Sequence, residues 1–214
     1  MSTQSRAARI RANLKPYLRK DRLSSHRFSP KGSALVVIDM QKFFLSPDSH
    51  AYLPDGERII GNLNRIIEAY RARRLPIIFT RQALAKGKDP GSMGRWWKDN
   101  LRESDPSSEV DPRLGPTRDD KVLIKSQYSA FIGTGFERML RTKKISSLVI
   151  TGVMTHLCCE STARDAFMRG FDVFIVVDGT ASRNEDLHVS SLKTLADGFA
   201  IPTTTSEVLK WTRK

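Results

Sequence analysis

The sequence of 214 residues has no long hydrophobic run and very little cysteine. Its longest apolar stretches, such as ALVVI and VFIVV, span about five residues, whereas a membrane-crossing helix needs roughly 18 to 20. We therefore expect no membrane span. The basic N-terminus is not followed by the apolar segment of a secretory signal. Only two cysteines are present, side by side at Cys158 and Cys159, so we expect a reducing, cytoplasmic location without disulfides.

Histidine is also scarce, and no dinucleotide motif is present. The four histidines are too scattered to form a recognisable metal-ligand cluster: His26, His50, His156 and His188. No GxGxxG motif follows the first predicted strand. We therefore predict neither a metal nor a cofactor. Hydrophobic residues make up 39% of the chain and charged residues 28%, which is typical of a folded domain with one sizeable core.

Positive charge is concentrated at the N-terminus. The formal net charge is +13, and residues 1–33 contribute +8, because they set nine basic residues against Asp21: Arg6, Arg9, Arg11, Lys15, Arg19, Lys20, Arg22, Arg27 and Lys31. Such an arm can bind polyanions or an acidic partner surface. It carries no nucleic-acid motif, so nucleic acid is not the expected partner. The favoured interpretation is a solvated, partly helical extension that packs on the domain or on a neighbouring subunit.

After the arm, short apolar runs alternate with amphipathic stretches. The pattern predicts strands at ALVVIDMQ, LPIIFT, KVLIK, SSLVIT, DVFIVVD and FAIPTT, and helices at GERIIGNLNRIIEAYRARR, TGFERMLRTKK, residues 158–169, EDLHVSSLKTLADG and SEVLKWTRK. Repeated strand–helix units build a mostly parallel sheet with helices on both faces. We therefore predict a three-layer, Rossmann-like α/β sandwich, in which ligands bind beyond the carboxyl ends of the strands.

One segment interrupts this alternation. Residues 82–120 show no clear period and carry four of the ten prolines. Connections of this length are usually functional loops, lids or disordered segments, and Trp96 and Trp97 argue for partial order. The predicted organisation is a basic extension over residues 1–33, followed by one domain over residues 34–214. Within that domain, residues 82–120 form a long loop and a candidate lid.

Three chemically distinctive residues follow predicted strands. Asp39, Lys125 and Cys158 each lie at or just after a carboxyl end, so the fold brings them to one rim. Taken singly, each has an ordinary structural explanation: a helix cap, a strand-end charge and a small buried hydrophobe. Together they supply a carboxylate, a cation and a nucleophile in one crevice, which structure alone rarely requires.

This set of residues suits nucleophilic catalysis. A thiol at a helix N-terminus beside an ammonium group is driven toward the reactive thiolate, so we expect a lowered pKa at Cys158. The carboxylate of Asp39 can take the thiol proton, deliver it to a leaving group and later activate water. Cys159 lies about 100° further round the helix and is predicted to serve in packing.

Three separated motifs give the chain a family resemblance. VVIDMQKFF, VLIKSQYSAFIGTGFERML and VITGVMTHLCCESTARDAFMRGFDVFIVVDGTAS resemble, in order and spacing, the aspartate, lysine and nucleophile motifs of the isochorismatase-like cysteine hydrolases. This superfamily includes isochorismatases, N-carbamoylsarcosine amidohydrolases and nicotinamidases. The similarity covers roughly residues 34–204, and the domain over residues 34–214 is identified as a member on that basis.

The resemblance implies roles for individual residues. It implies Asp39 as general base, Lys125 as the lysine that supports thiolate and oxyanion, and Cys158 as nucleophile. It further implies a cis peptide between Val153 and Met154, with the N–H groups of Met154 and Cys158 as the oxyanion hole. Members often assemble as dimers or tetramers, so a homo-oligomer is expected here.

Two departures bear on the substrate. Nicotinamidase-type members carry a metal-binding Asp/His set after the second strand, where this chain has FTRQALAKGKDPGS without histidine. True isochorismatases cleave a vinyl ether by protonation and generally lack a cysteine at the position of Cys158.

The presence of Cys158 favours hydrolysis of a small non-peptide amide, or a related carbonyl compound, through a thioester. The alternatives are vinyl-ether hydrolysis with Asp39 as acid, and a catalytically idle scaffold whose basic arm binds an acidic partner. Phe44, Gln82 and Trp96 are the candidate contacts to a small-molecule substrate.

Overall fold

The computed structural model describes residues 3–18 and 28–213, with side chains from residue 6 onward. Within these ranges, six parallel strands form one sheet in the order β3-β2-β1-β4-β5-β6. They are β1 Ser33–Ile38, β2 Ile77–Gln82, β3 Lys121–Lys125, β4 Ser147–Val153, β5 Asp172–Ala181 and β6 Ile201–Thr203. The strand order reverses between β1 and β4, and ligands of α/β sheets bind at such a switch point.

Helices cover both faces of the sheet. The described ranges contain α1 Thr3–Leu14, α2 Lys42–Leu45, α3 Pro54–Arg58, α4 Ile60–Ala72, α5 Gly91–Trp97, α6 Phe136–Thr142, α7 Glu160–Met168, α8 Glu185–Gly198 and α9 Thr205–Arg213. Helices α4 and α9 pack on one face, and α1, α6, α7 and α8 pack on the other. The predicted three-layer, Rossmann-like sandwich is confirmed. None of the helices in the described ranges has the length and apolar character needed to cross a membrane.

The core consists of two apolar layers separated by the sheet. All of β1 is buried, as expected of a central parallel strand covered on both faces. Because successive side chains of a strand point to opposite faces, Val36 and Ile38 pack under α7 and α8, whereas Leu35 and Val37 pack under α4. This packing fixes where β1 ends and therefore where Asp39 leaves the sheet.

The backbones of β1 and β4 are in close contact at their carboxyl ends. Ile38 and Gly152 are opposite each other in the register, and Gly152 has a φ of +106°. A Cβ atom at Gly152 would lie 2.0 Å from the carbonyl oxygen of Ile38, a distance that no side chain tolerates. Glycine therefore permits the close approach that brings the ends of the two strands together at the switch point.

The segment over residues 82–120 has more structure than its irregular pattern predicts. It contains α5 and two short 3₁₀ turns, and it is attached to the loop after β1 through Gln41. The buried side-chain amide of Gln41 donates hydrogen bonds to the carbonyl oxygens of Gln82, at 3.1 Å, and Ser108, at 2.7 Å. Gln41 also forms a backbone bridge with Val110. These bonds hold the segment close to the carboxyl ends of β1 and β2.

Helix α1 packs on the domain through an apolar face. Ala7, Ile10 and Leu14, spaced as neighbours on one side of a helix, are buried in the core layer that also contains α8 and residues of β5. The arginines of α1 pair with acidic side chains of the domain: Arg6 with Asp55 at 2.8 Å, Arg9 with Glu185 at 2.8 Å, and Arg11 with Glu207. Four more basic residues of the arm lie outside the described residues: Arg19, Lys20, Arg22 and Arg27.

The docking of α1 can be tested by truncating a buried side chain. Ile10 is 2% exposed, so we expect Ile10→Ala to lower the free energy of unfolding, measured in urea, by about 2 to 4 kcal/mol. Arg9→Ala is the matched control, because an exposed ion pair contributes at most about 1 kcal/mol. Equally small losses from both substitutions would contradict the docked position of α1.

Candidate active site

Asp39, Lys125 and Cys158 meet at the carboxyl edge of the sheet. The Lys125 ammonium lies 2.7 Å from Asp39 Oδ2 and 3.4 Å from Cys158 Sγ. The side chains of Asp39 and Lys125 have no exposed surface, and Cys158 is 7% exposed. Asp39 directly follows β1, Lys125 is the last residue of β3, and Cys158 lies in the turn after β4. These places agree with the positions of the three residues relative to the predicted strands. A carboxylate, an ammonium and a thiol are thus in contact in a site largely closed to water.

The Lys125 ammonium makes three hydrogen bonds and one ion pair. It donates to Cys158 Sγ, to Gln82 Oε1 at 2.8 Å and to the carbonyl oxygen of Gln127 at 3.0 Å, and its ion pair is with Asp39. Burial lowers the pKa of Lys125, but the neighbouring Asp39 and Cys158 outweigh burial and raise it above the ordinary value. Lys125 is therefore a permanent cation with a fixed position.

Asp39 is oriented by the strand beside it. Thr80 Oγ1 donates a hydrogen bond to Asp39 Oδ1 at 2.5 Å and accepts one from the Asp39 amide at 3.0 Å. The backbone of Asp39 has a φ of 46°, a left-handed conformation that non-glycine residues adopt rarely. Oδ1 is thus occupied by Thr80, whereas Oδ2 faces the Lys125 ammonium and is available to the thiol.

The nucleophile turn is the segment Met154–Cys159, which follows β4. The peptide between Val153 and Met154 is cis, as the family resemblance implies. Residues Thr155–Cys159 form a π-helical turn before α7 begins at Glu160, so Cys158 does not lie in the first turn of an α-helix as predicted. The carbonyl oxygen of Met154 accepts hydrogen bonds from the amides of Leu157, at 3.1 Å, and Cys159, at 3.2 Å. This wider turn presents Met154 and Cys158 to one cavity.

The resting thiol is protonated. Burial raises the pKa of Cys158 well above its ordinary value; the Lys125 ammonium lowers it, and Asp39 raises it again through its charge and a hydrogen bond. The predicted lowering of this pKa is therefore wrong, because the sequence pattern does not reveal how deeply the thiol is buried. A thiolate at Cys158 requires that its proton be transferred to a neighbouring base.

Cys159 has different surroundings. It is fully buried in the core, with its Sγ 3.9 Å from the carbonyl oxygen of Thr151, and both cysteines are free thiols. Burial raises the pKa of Cys159 far above its ordinary value.

Across the part of the chain that the structure describes, no three His, Cys, Asp or Glu side chains are grouped as metal ligands would be.

A cavity of about 340 Å³ opens onto Cys158 and is lined mainly by apolar side chains. Phe44 and Gln82, two of the three predicted substrate contacts, line this cavity. Trp96 does not: it is 78% exposed, and the neighbouring Trp97 lines the cavity instead, where its Nε1–H donates to the Tyr128 hydroxyl at 2.7 Å. Trp96 therefore lies away from this cavity, because two adjacent residues of α5 face different directions, and the irregular segment gave no period to distinguish them.

Several residues at the site were missed by the sequence analysis. Thr80 orients Asp39, the Gln127 carbonyl holds Lys125, and Arg183 lines the cavity. Gln127 and Arg183 follow strands, so the rule that located the three central residues applies to them, whereas Thr80 lies within β2. Their residue types gave no sign of a role at the site, because a threonine, a backbone carbonyl and a surface arginine are common in and after strands.

The parallel α/β sheet buries a thiol, an ammonium and a carboxylate at its switch point. This combination of fold and site is characteristic of α/β enzymes of the cysteine-hydrolase type. The family model described as Isochorismatase domain matches residues 33–207. The chain belongs to the isochorismatase family and is a hydrolase of that family.

Similar proteins agree with this assignment. Nicotinamidase 3 of Arabidopsis thaliana is 37% identical over 175 residues, which cover 79% of this chain and 83% of that protein. Enterobactin synthase component B of Escherichia coli (strain K12) is 34% identical over 183 residues, covering 85% of this chain and 64% of that protein. The crystal structure of a cysteine hydrolase from Pseudomonas syringae pv. phaseolicola 1448A superposes with a TM-score of 0.84 and 29% identity, covering 87% of this chain and 94% of that one.

Proposed function

We propose that this protein hydrolyses a small non-peptide amide, or a related carbonyl compound, through a thioester on Cys158. The observation that carries the proposal is the buried contact chain in which Lys125 Nζ lies 3.4 Å from Cys158 Sγ and 2.7 Å from Asp39 Oδ2. A thiol beside a buried carboxylate and a fixed cation has what covalent acyl transfer needs: a nucleophile, a base and electrostatic stabilisation. The similarity to a protein named nicotinamidase supports an amide substrate.

Acylation begins with proton transfer from the thiol. As Sγ attacks the carbonyl carbon, the S–H proton passes to Asp39 Oδ2 and the carbonyl π electrons move to oxygen. The Met154 and Cys158 amides are proposed to bind this oxyanion, and Lys125 stabilises the negative charge in the site. The C–N bond then breaks, Asp39 returns its proton to nitrogen, and ammonia or an amine leaves.

Deacylation uses Asp39 again as base and then as acid, with water as the nucleophile and sulfur as the leaving group. Asp39 removes a proton from water as the water oxygen attacks the thioester carbonyl carbon. The C–S bond breaks, and the departing sulfur takes the proton back from Asp39, which restores the neutral thiol and releases a carboxylic acid. Sulfur begins and ends the cycle as S–H, and Asp39 has returned the transferred proton by the end of each half-reaction.

A partition experiment tests the thioester. We expect hydroxylamine, added to the enzyme during hydrolysis of a small primary amide such as nicotinamide or benzamide, to divert the acyl group to a hydroxamate. The total rate of ammonia release should stay unchanged if deacylation is fast, because only the second step is shared between water and hydroxylamine. With a substrate whose deacylation is slow, acid quenching should show the acyl mass on the peptide that contains Cys158. Ammonia release without hydroxamate or adduct would contradict covalent catalysis.

We also propose that the protein assembles as a homo-oligomer and is located in the cytoplasm. A homo-oligomer is supported by exposed apolar side chains on the edge strand β3, where Val122 and Ile124 are just over one-third exposed, since apolar residues on a sheet edge favour association. A cytoplasmic location is supported by the two free cysteines.

A further inference from the structure

The contact between Lys125 and Cys158 joins two parts of the sheet that are not neighbours. Lys125 ends β3 and Cys158 follows β4, and in the order of the sheet β2 and β1 lie between these two strands. Three strand spacings amount to about 14 Å, whereas Lys125 Nζ lies 3.4 Å from Cys158 Sγ. The hydrogen bonds of the sheet alone do not fix this short distance, so it depends on contacts outside the sheet.

The segment that spans the gap is the lysine loop, residues 126–135, which connects β3 to α6. At its start, the backbone carbonyl oxygen of Gln127 accepts a hydrogen bond from Lys125 Nζ at 3.0 Å. The next residue, Tyr128, lines the cavity that opens onto Cys158. A displacement of the lysine loop therefore moves an acceptor of the ammonium together with part of the cavity wall.

Two hydrogen bonds attach the lysine loop to α7. The Ser129 hydroxyl donates to Asp165 Oδ2 at 2.7 Å, and the Ala130 amide donates to Thr162 Oγ1 at 3.1 Å. Ala130 and Thr162 are fully buried, so removing the Thr162 hydroxyl would leave a buried amide without its acceptor. Helix α7 directly continues the nucleophile turn. The two bonds thus connect the lysine loop to the element that carries the thiol.

We propose that Thr162 and Asp165 are positioning residues, which hold the lysine loop on α7 and thereby set the contact between the Lys125 ammonium and the Cys158 thiol. Neither residue lines the cavity, so both act on the chemistry only through the loop. The inference rests on the proposed function for its kinetic measurement. The reactivity of the thiol reports the same geometry without any substrate.

The experiment compares two substitutions of Thr162. Thr162→Val replaces the hydroxyl with a methyl group of nearly the same size, whereas Thr162→Ser keeps the oxygen. We expect Thr162→Val to lower kcat for benzamide, measured by ammonia release, by about 30- to 100-fold, because a small displacement of a catalytic group has an effect of this size. Thr162→Ser should stay within about threefold of wild type, since its hydroxyl can accept the same hydrogen bond.

Alkylation of Cys158 separates positioning from a general loosening of the structure. The Lys125 ammonium lowers the pKa of the thiol, so an ammonium displaced by Thr162→Val should make the reaction with iodoacetamide slower, by about fivefold or more. Loosened packing would have the opposite effect, because it exposes both Cys158 and Cys159 and both would react faster. The rates are measured from pH 5 to 9 by peptide mass spectrometry.

Thr204→Val is the matched control. Thr204 Oγ1 also accepts a hydrogen bond from a backbone amide, that of Glu207 at 3.3 Å, but Thr204 does not line the cavity. It directly precedes α9, which packs on the opposite face of the sheet from α7. Thr204→Val should therefore change both kcat and the alkylation rate by less than about twofold.

Ser129→Ala provides a second test if Thr162→Val does not give folded protein. It removes the bond to Asp165 and should change both measurements in the same directions, with kcat lowered by about fivefold. Faster alkylation, or wild-type values of both measurements in a folded variant, would overturn the inference. If wild type hydrolysed no amide while alkylation slowed in Thr162→Val and not in Thr204→Val, the positioning role would be sustained and the proposed amide chemistry contradicted.

Discussion

Replacing Cys158 with alanine is expected to lower kcat for an amide substrate by at least about 10⁴-fold, because removing a covalent nucleophile eliminates the acyl-enzyme route altogether. The fold should survive, since the substitution deletes one sulfur atom beside a cavity and leaves the Lys125–Asp39 ion pair at 2.7 Å in place. The measurement is steady-state ammonia release, with far-ultraviolet circular dichroism and the thermal midpoint recorded for both proteins.

Cys159→Ala supplies a stringent control at the adjacent position. Cys159 is fully buried in the core and points to the Thr151 carbonyl rather than to Lys125. We expect its loss to cost about 1 kcal/mol of stability, as for deletion of a small buried group, and to change kcat by less than about threefold. If both cysteine variants lost activity equally, the effect would come from packing of the turn, not from a nucleophile.

Cys158→Ala also distinguishes amide hydrolysis from vinyl-ether cleavage. Protonation of a vinyl ether needs an acid and no nucleophile, so Cys158→Ala would retain isochorismate cleavage and Asp39→Ala would lose it. Amide hydrolysis through a thioester fails in both variants. Full activity of Cys158→Ala on isochorismate would therefore replace the proposed reaction with the alternative that the family also contains.

The residues of the site were predictable to the extent that strand ends were predictable. The short apolar run in KVLIK predicted β3 with the bounds observed, Lys121–Lys125. The parallel order of the strands then brings Lys125 to the rim shared with Asp39 and Cys158. These positions depend on periodicity and chain direction, which are local properties of a sequence. The family motifs added the cis peptide before Met154, which no periodicity encodes.

The properties that depend on tertiary surroundings were not predictable in this way. The pKa of Cys158 is raised because the thiol is enclosed, and enclosure results from the packing of residues distant in sequence. Trp97 rather than Trp96 lines the cavity, since the rotation of a short helix in an irregular segment is set by its neighbours.

Asp39→Asn should uncouple thiol reactivity from hydrolysis. We expect kcat to fall by at least about 10³-fold, because asparagine cannot accept the thiol proton or activate water. The thiol itself should react with iodoacetamide at pH 7 faster than in wild type, by about tenfold or more. The reason is the direction of the interactions at Cys158: Asp39 raises the thiol pKa and Lys125 lowers it, so removing Asp39 leaves the favourable cation to stabilise the thiolate. The measurement is the rate of Cys158 alkylation, mapped by peptide mass spectrometry from pH 5 to 9.

Lys125→Met is expected to shift the thiol pKa of Cys158 in the opposite direction to Asp39→Asn. Without the ammonium, burial and Asp39 both act to raise the thiol pKa, so alkylation should become slower than in wild type while hydrolysis is again lost. This variant should also lose about 3 to 5 kcal/mol of stability, because it leaves the fully buried Asp39 carboxylate without its counter-ion. Alkylation that slowed in Asp39→Asn as well would mean that Lys125 gives up its proton once Asp39 is gone, and the assignment of Lys125 as a permanent cation would be wrong.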